Sequence, residues 1–98
     1  MPIQITEEDL HDHLRARMEQ RGITREELER TLHGGWDAVD AKPGTVGKVL
    51  VFPFQKIWEG RRYEEKEVSV YYKLIQDRIM LLTVKARYGQ SFPKGKCS

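Results

Sequence analysis

The segment from Glu64 to Gly89, EEKEVSVYYKLIQDRIMLLTVKARYG, constrains the fold more than any other part of the chain. Side chains of a strand alternate between two faces, so two alternating runs joined by a short turn decide which residues sit together. Val68, Val70, Tyr72 and Leu74, then Met80, Leu82, Val84 and Ala86, make the even positions apolar. Glu67, Ser69, Tyr71, Lys73, Thr83, Lys85 and Arg87 make the odd positions polar or charged. Keeping both even sets on one face requires partners whose numbers sum to an even value. A three-residue loop, Gln76-Asp77-Arg78, meets that condition by pairing Leu74 with Met80. A two-residue turn would pair Val70 with Thr83 and mix the faces. The predicted register therefore sets Glu67 opposite Arg87, Ser69 opposite Lys85 and Tyr71 opposite Thr83.

The first third of the chain reads as a pair of helices with full start signals. Thr6 is placed as an N-cap, with Ile5 and Leu10 as its hydrophobic staple and Glu7, Glu8 and Asp9 facing the positive end of the helix dipole. Leu10, Leu14 and Met18 recur every four residues and form the inward stripe. Gly22 suits a left-handed helix end, and Arg21 is read as folding back over that turn to satisfy its carbonyls. Thr24 and Glu27 then form a capping box, stapled by Ile23 and Leu28, with Leu28 and Leu32 inward and Gly34-Gly35 as the stop. Only Gly22 and Ile23 separate the helices, which makes a tight hairpin.

Residues 36–47 read as a connection with a Pro43-Gly44 turn, and Lys48 to Phe54 as a strand. Pro53 cannot donate to a ladder, which favours an edge or a strand end. The predicted architecture is α+β: an N-terminal helical hairpin packed on the even face of a three- to four-stranded antiparallel meander sheet. Residues 1–93 form the single domain, with Phe92 tucked down, and residues 94–98 a flexible basic tail.

A chain of 98 residues holds one core. No apolar run approaches the ~20 residues needed to span a bilayer, and the N-terminus has no signal-peptide pattern. Cys97 is the sole cysteine, so no internal disulfide forms, which fits a cytoplasmic protein. The net charge of +2 is unevenly spread: −3 over residues 1–33, from five Arg/Lys against eight Asp/Glu, but +4 over residues 76–98, from five against one. A basic C-terminal part beside an acidic N-terminal one suggests a polyanion partner on one side; scattered surface charge is the plainer alternative.

Metal-free RNA cleavage needs a group to take the 2′-hydroxyl proton, another to protonate the leaving oxygen, and cations for the phosphorane charge. On the odd face Glu67 is the candidate base, Lys85 and Arg87 the charge stabilisers, and Tyr71 a proton donor or a surface on which a base stacks. The alternative is that Glu67 and Arg87 form an ordinary cross-strand ion pair. Trp36, Phe52, Phe54 and Trp58 beside Lys48, Lys56, Arg61 and Arg62 offer stacking surfaces for unpaired bases, or else cover the sheet as core. Lys73 adds a cation on the odd face. His13 and Arg17, four apart on the first helix, form an edge that can meet phosphates. His11 and His13 are two apart on a helix and point roughly 200° away from each other, so no metal site is expected. His33 sits where a dipole-compensating residue belongs. Pro43-Gly44-Thr45-Val46-Gly47-Lys48 lacks phosphate-loop spacing, and no cofactor is expected.

The run HLRARMEQRGIT, His13 to Thr24, resembles the signature of a small bacterial domain family of unknown function, whose members open with a His, then Arg-Met, then Arg-Gly-Ile. EEKEVSVYYK and LLTVKARYG are similar to the strand pair in one branch of that family, and the resemblance spans about residues 10–93. By fold analogy the family is similar to the RelE/ParE-type bacterial toxins, some of which cleave translating messages without a metal while others poison gyrase. The resemblance implies His13, Arg17 and Arg21 on the helix and Lys85, Arg87 and Tyr88 on the last strand as functional positions, with Tyr88 on the nucleic acid. It also implies RNA or the ribosome and a cognate antitoxin as partners. The N-terminal strand usual in that fold corresponds at best to Pro2–Ile5, and +2 is a low charge for a ribosome-directed nuclease. A non-catalytic module binding nucleic acid or protein, or a homodimer through the exposed edge strand, is the alternative.

Overall fold

A helix leaves its first amide hydrogens unanswered, and the residue that answers them marks its start. The computed structural model describes residues 10–93. In it helix α1 spans Asp12–Arg21, with His11 as the N-cap: extended backbone and Nδ1 accepting from the Leu14 N–H at 3.2 Å. The expected cap at Thr6, its staple residue Ile5 and the acids Glu7 to Asp9 lie outside the described residues. Leu10 precedes the helix instead of lying within it, yet is buried in the core as expected. The His11 Nε2 meets the Leu81 carbonyl at 3.1 Å, so with Nδ1 accepting, the ring carries its proton on Nε2. The extended backbone of a cap takes His11 out of helical phase. Its ring therefore lies parallel to that of His13, centroids 6.2 Å apart, and not on the opposite face.

Gly22, at φ 70°, closes α1 with the paired bonds of a Schellman turn, Gly22 N–H to the Glu19 carbonyl and Ile23 N–H to that of Met18. Helix α2 spans Arg25–Gly34 and carries the full Thr24–Glu27 capping box. His33 occupies its last turn.

Four strands follow: β1 (Trp36–Asp37), β2 (Val46–Trp58), β3 (Arg61–Ile75) and β4 (Arg78–Gly89). They form one antiparallel sheet in the order β1-β2-β3-β4, so the fold is α+β with a meander sheet. The start of the expected 36–47 connection is itself a short edge strand, with Trp36 beside Val49 and Asp37 beside Lys48. Beyond β1 the outer edge of β2 carries Pro53 and a register shift between Pro53 and Lys56, with Gln55 at φ 50°. A proline and a bulge both blunt an edge against further strand pairing.

The β3–β4 ladder pairs Glu67 with Arg87, Ser69 with Lys85 and Tyr71 with Thr83, as the alternation predicts. The turn is different. Past Tyr71 the register slips to Tyr72–Leu81 and runs to Ile75–Arg78, so the loop is Gln76-Asp77 alone, both at positive φ. Positive φ at both central residues is the two-residue turn whose twist matches a hairpin. Leu82 is the extra residue of a bulge that restores the facing pattern, which the three-residue loop was invoked to do. On the tip side of the bulge Met80 pairs with Lys73 and is 49% exposed, and Leu74, also expected in the core, is 62% exposed.

The core lies between the helices and the even face. Leu14, Met18, Leu28 and Leu32 pack on Phe52, Val68, Val70, Tyr72, Leu81 and Val84. Helix α1 also tends the free edge of β4: His11 reaches the Leu81 carbonyl and the Arg21 Nε donates to the Val84 carbonyl at 3.3 Å. Arg21 therefore does not fold over the Gly22 turn. That task falls to Lys66, an even-face residue only 2% exposed, whose Nζ donates to the Gly22 carbonyl and, at 2.7 Å, to Glu27 Oε1. The ammonium lies over the rings of Phe54 and Tyr88, at 5.7 and 5.6 Å. Gly22 is required here twice over, since beyond its positive φ a Cβ would meet the Trp58 ring at 2.6 Å.

Breaking a buried ion pair from one side costs about 3–5 kcal/mol, whereas an apolar replacement of the desolvated partner costs far less. Glu27→Ala, which also removes the capping box, is expected to lower unfolding free energy by about 3 kcal/mol. Lys66→Met is expected to cost less, because Glu27 can turn to water. Urea denaturation of the two variants measures the order, and equal losses would refute it.

Candidate functional site

The odd face of the sheet is turned away from the helices, and residues 38–45 cross it between β1 and β2. The Ala38 N–H donates to the Gly47 carbonyl at 2.9 Å. A Cβ at position 47 would meet Ala38 Cβ at 2.7 Å and the Tyr71 ring at 2.9 Å, so a glycine there lets linker and sheet close up. Asp40 is thereby brought over β3 and β4. It accepts from the Tyr71 hydroxyl at 2.8 Å through Oδ1 and from Lys85 Nζ at 3.4 Å through Oδ2. Lys85 Nζ also stands 5.0 Å from the centroid of the Tyr71 ring. One residue pair along the ladder, Arg87 Nε donates to Glu67 Oε1 at 2.7 Å. The main-chain N–H of Phe92 donates to Glu65 Oε1, and the Phe92 ring lies 5.0 Å from the Arg87 guanidinium, which tucks that side chain down as expected. Asp40, Glu67, Tyr71, Lys85 and Arg87, with Ser69 and Trp36, line an open groove of about 430 Å³.

The partners decide the charge states. The Tyr71 hydrogen bond, aided by Lys85, holds the Asp40 carboxyl below the usual carboxylate range. Burial, reinforced by the negative charge of Asp40, pushes the Tyr71 phenol up to about 12. Its hydrogen bond to Glu67 raises the Arg87 guanidinium further. At neutral pH the groove thus holds a neutral phenol as a proton donor and two carboxylate–cation pairs, Asp40 with Lys85 and Glu67 with Arg87.

Glu67, Tyr71, Lys85 and Arg87 are brought together as the alternation predicts. The other candidates are not. Tyr88 faces the helices: its hydroxyl donates to the Arg21 carbonyl at 2.5 Å and its ring stacks on Trp58 at 4.9 Å, so it is a packing residue. Lys48 lies on the helix-facing register with Val70 and pairs with Asp37 at 2.7 Å. Lys73 is exposed near the hairpin tip, beyond the bulge. His13 and Arg17 ride on α1, on the other side of the sheet, as does Arg21. The helix positions and the strand positions implied by the family resemblance therefore do not share one surface. Trp36, one of the aromatics expected as a stacking surface, does line the groove, whereas Asp40 was missed. Asp40 falls in a stretch without alternation or helical period, and only the glycine at 47 hints that something packs closely there.

Both Tyr71 and Tyr88 are pushed up to about 12, chiefly by burial. An unfolded tyrosine titrates near 10, so the stability tied to these phenols is intact below that pH and falls as pH rises toward 12. Phenolate absorbance followed against pH is expected to show a late phase near 12, reduced in Tyr71→Phe and reduced again in Tyr71→Phe/Tyr88→Phe. A late phase unchanged in both variants would contradict the assignment.

Comparison of the chain with family models, with curated proteins and with solved structures finds no match, so the chemistry of the groove rests on the residues that line it.

Proposed function

We propose that the odd-face groove binds single-stranded RNA and cleaves it with protein groups alone, in the manner of a RelE-like toxin. The observation that carries this reading is the convergence of Glu67, Tyr71, Lys85 and Arg87 on one open groove. Glu67 takes the proton of a ribose 2′-hydroxyl, and the 2′-oxygen attacks the adjacent phosphorus. Lys85 and Arg87 hold the negative charge that grows on the non-bridging oxygens. Tyr71 gives its proton to the departing 5′-oxygen, an alkoxide more basic than its own phenolate. The products are a 2′,3′-cyclic phosphate and a 5′-hydroxyl end. Tyr71 then recovers a proton and Glu67 loses one through solvent. Trp36 offers a π face at the groove for an unpaired base.

A second reading has its own support. Both cations are already matched by carboxylates, Lys85 by Asp40 and Arg87 by Glu67. A groove so balanced suits a non-catalytic module that holds RNA by stacking and hydrogen bonds as much as by charge.

Incubation of the purified protein with single-stranded RNA in the presence of EDTA separates the two. The nuclease reading expects cyclic-phosphate ends, and rates about 100-fold lower or less still in Glu67→Gln and Tyr71→Phe. Intact RNA that is nonetheless bound, with affinity falling as salt rises, would select the binding module. RNA neither cut nor bound would reject both.

A further inference from the structure

We propose that Tyr71 and Lys85 form a phosphate subsite that Asp40 fills in cis, so that a phosphate group enters the groove by displacing the 39–45 stretch of the linker. The inference rests on the reading of the groove as an RNA site, and adds to it a gate.

The geometry of Asp40 is that of a bound anion. One carboxylate oxygen sits 2.8 Å from the Tyr71 hydroxyl and the other 3.4 Å from Lys85 Nζ. Those donors come from neighbouring strands, with Tyr71 opposite Thr83 and Lys85 one position further along the same face. Two donors from a rigid ladder, reaching two oxygens of one anion, would serve the non-bridging oxygens of a phosphate equally well. The ladder is preorganised by packing on its other face, so the subsite outlasts the departure of Asp40.

The linker itself is lightly held. Val39, beside Asp40, is 94% exposed and buries nothing. The Thr45 hydroxyl and N–H both bond back to the Lys42 carbonyl, within the linker. Asp40 is the residue of the 39–45 stretch whose side chain bonds to the β3–β4 ladder, and its ion pair with Lys85 is more than half exposed on both sides. Exposed pairs of this kind are weak and easily exchanged. Pro43-Gly44, with Gly44 at φ 84°, forms the turn that these Thr45 bonds close, so the stretch is held by its own bonds more than by the sheet. Inorganic phosphate at pH 7 brings more charge to Lys85 than a carboxylate does, and an RNA phosphodiester brings the same charge on two non-bridging oxygens.

Inorganic phosphate is the probe, followed at pH 7 by the amide resonances of Ser69, Tyr71 and Lys85 in the labelled full chain. Asp40→Asn is expected to bind phosphate about tenfold more tightly than the wild type, the scale of one charge-assisted contact. Asp77→Asn removes the same charge at the hairpin tip and is expected to match the wild type. Asp40→Asn/Lys85→Gln is expected to lose the gain. Binding by Asp40→Asn no tighter than by the wild type overturns the proposal. So does an equal gain in Asp77→Asn, which would reduce the effect to net charge, or a gain that survives Lys85→Gln. The amide spectrum itself reports whether each variant is folded. Because phosphate binding requires no RNA chemistry, a failure of the nuclease reading leaves this result standing, and the converse holds too.

Discussion

An ammonium group taken out of water must have its charge answered by the groups around it, and the answer fixes their positions. Lys66 imposes that condition on this fold. Its Nζ joins the turn between the helices, through the Gly22 carbonyl, to the start of α2, through Glu27. It also joins both to the sheet, through the rings of Phe54 and Tyr88. Tyr88 closes the arrangement by donating to the Arg21 carbonyl, and Trp58 stacks on Tyr88 over the Cα of Gly22. The helical hairpin is thereby pinned to the sheet at one end by polar bonds, while Leu14, Leu28 and their partners fill the remainder by apolar contact. Apolar burial alone would tolerate several orientations of the hairpin, because it is non-directional; two hydrogen-bonded groups and two rings around one charge do not.

That arrangement has a consequence for the opposite face. With the helices committed to the even positions, the odd positions of β3 and β4 are left to form the groove, and their spacing is set by the ladder. The bulge at Leu82 matters for the same reason. It lets the hairpin use a tight two-residue turn without moving Tyr71, Lys85 or Arg87 to the helix side. Its cost is borne by Leu74 and Met80, which lie past the reach of the helices and face solvent.

The groove is not a bare basic surface. Each of its cations has a carboxylate, and the one on Lys85 comes from a linker instead of from the sheet. A carboxylate that holds Tyr71 and Lys85 together adds to the effect of burial in keeping the phenol protonated, and holds the local charge near balance. The uneven charge of the chain, acidic at the start and basic at the end, therefore does not translate into a positive patch at the candidate site.

Alternation and capping are local properties, set by the geometry of successive residues, and these were legible in the amino-acid order. The Thr24–Glu27 capping box, the left-handed Gly22 and the apolar stripe of Leu14, Met18, Leu28 and Leu32 needed no knowledge of distant neighbours. Nor did the pairing of Glu67 with Arg87 and Ser69 with Lys85, which follows from period two and a parity condition. Where the start of α1 lies, how parity is met, and what stands over the groove depended on partners far along the chain. His11 caps its helix while reaching a carbonyl 70 residues away, Lys66 finds its carbonyl at a separation of 44, and Asp40 meets Tyr71 at 31. Such contacts leave no period in the sequence, because their geometry exists only after the strands have paired and the linker has been laid across them.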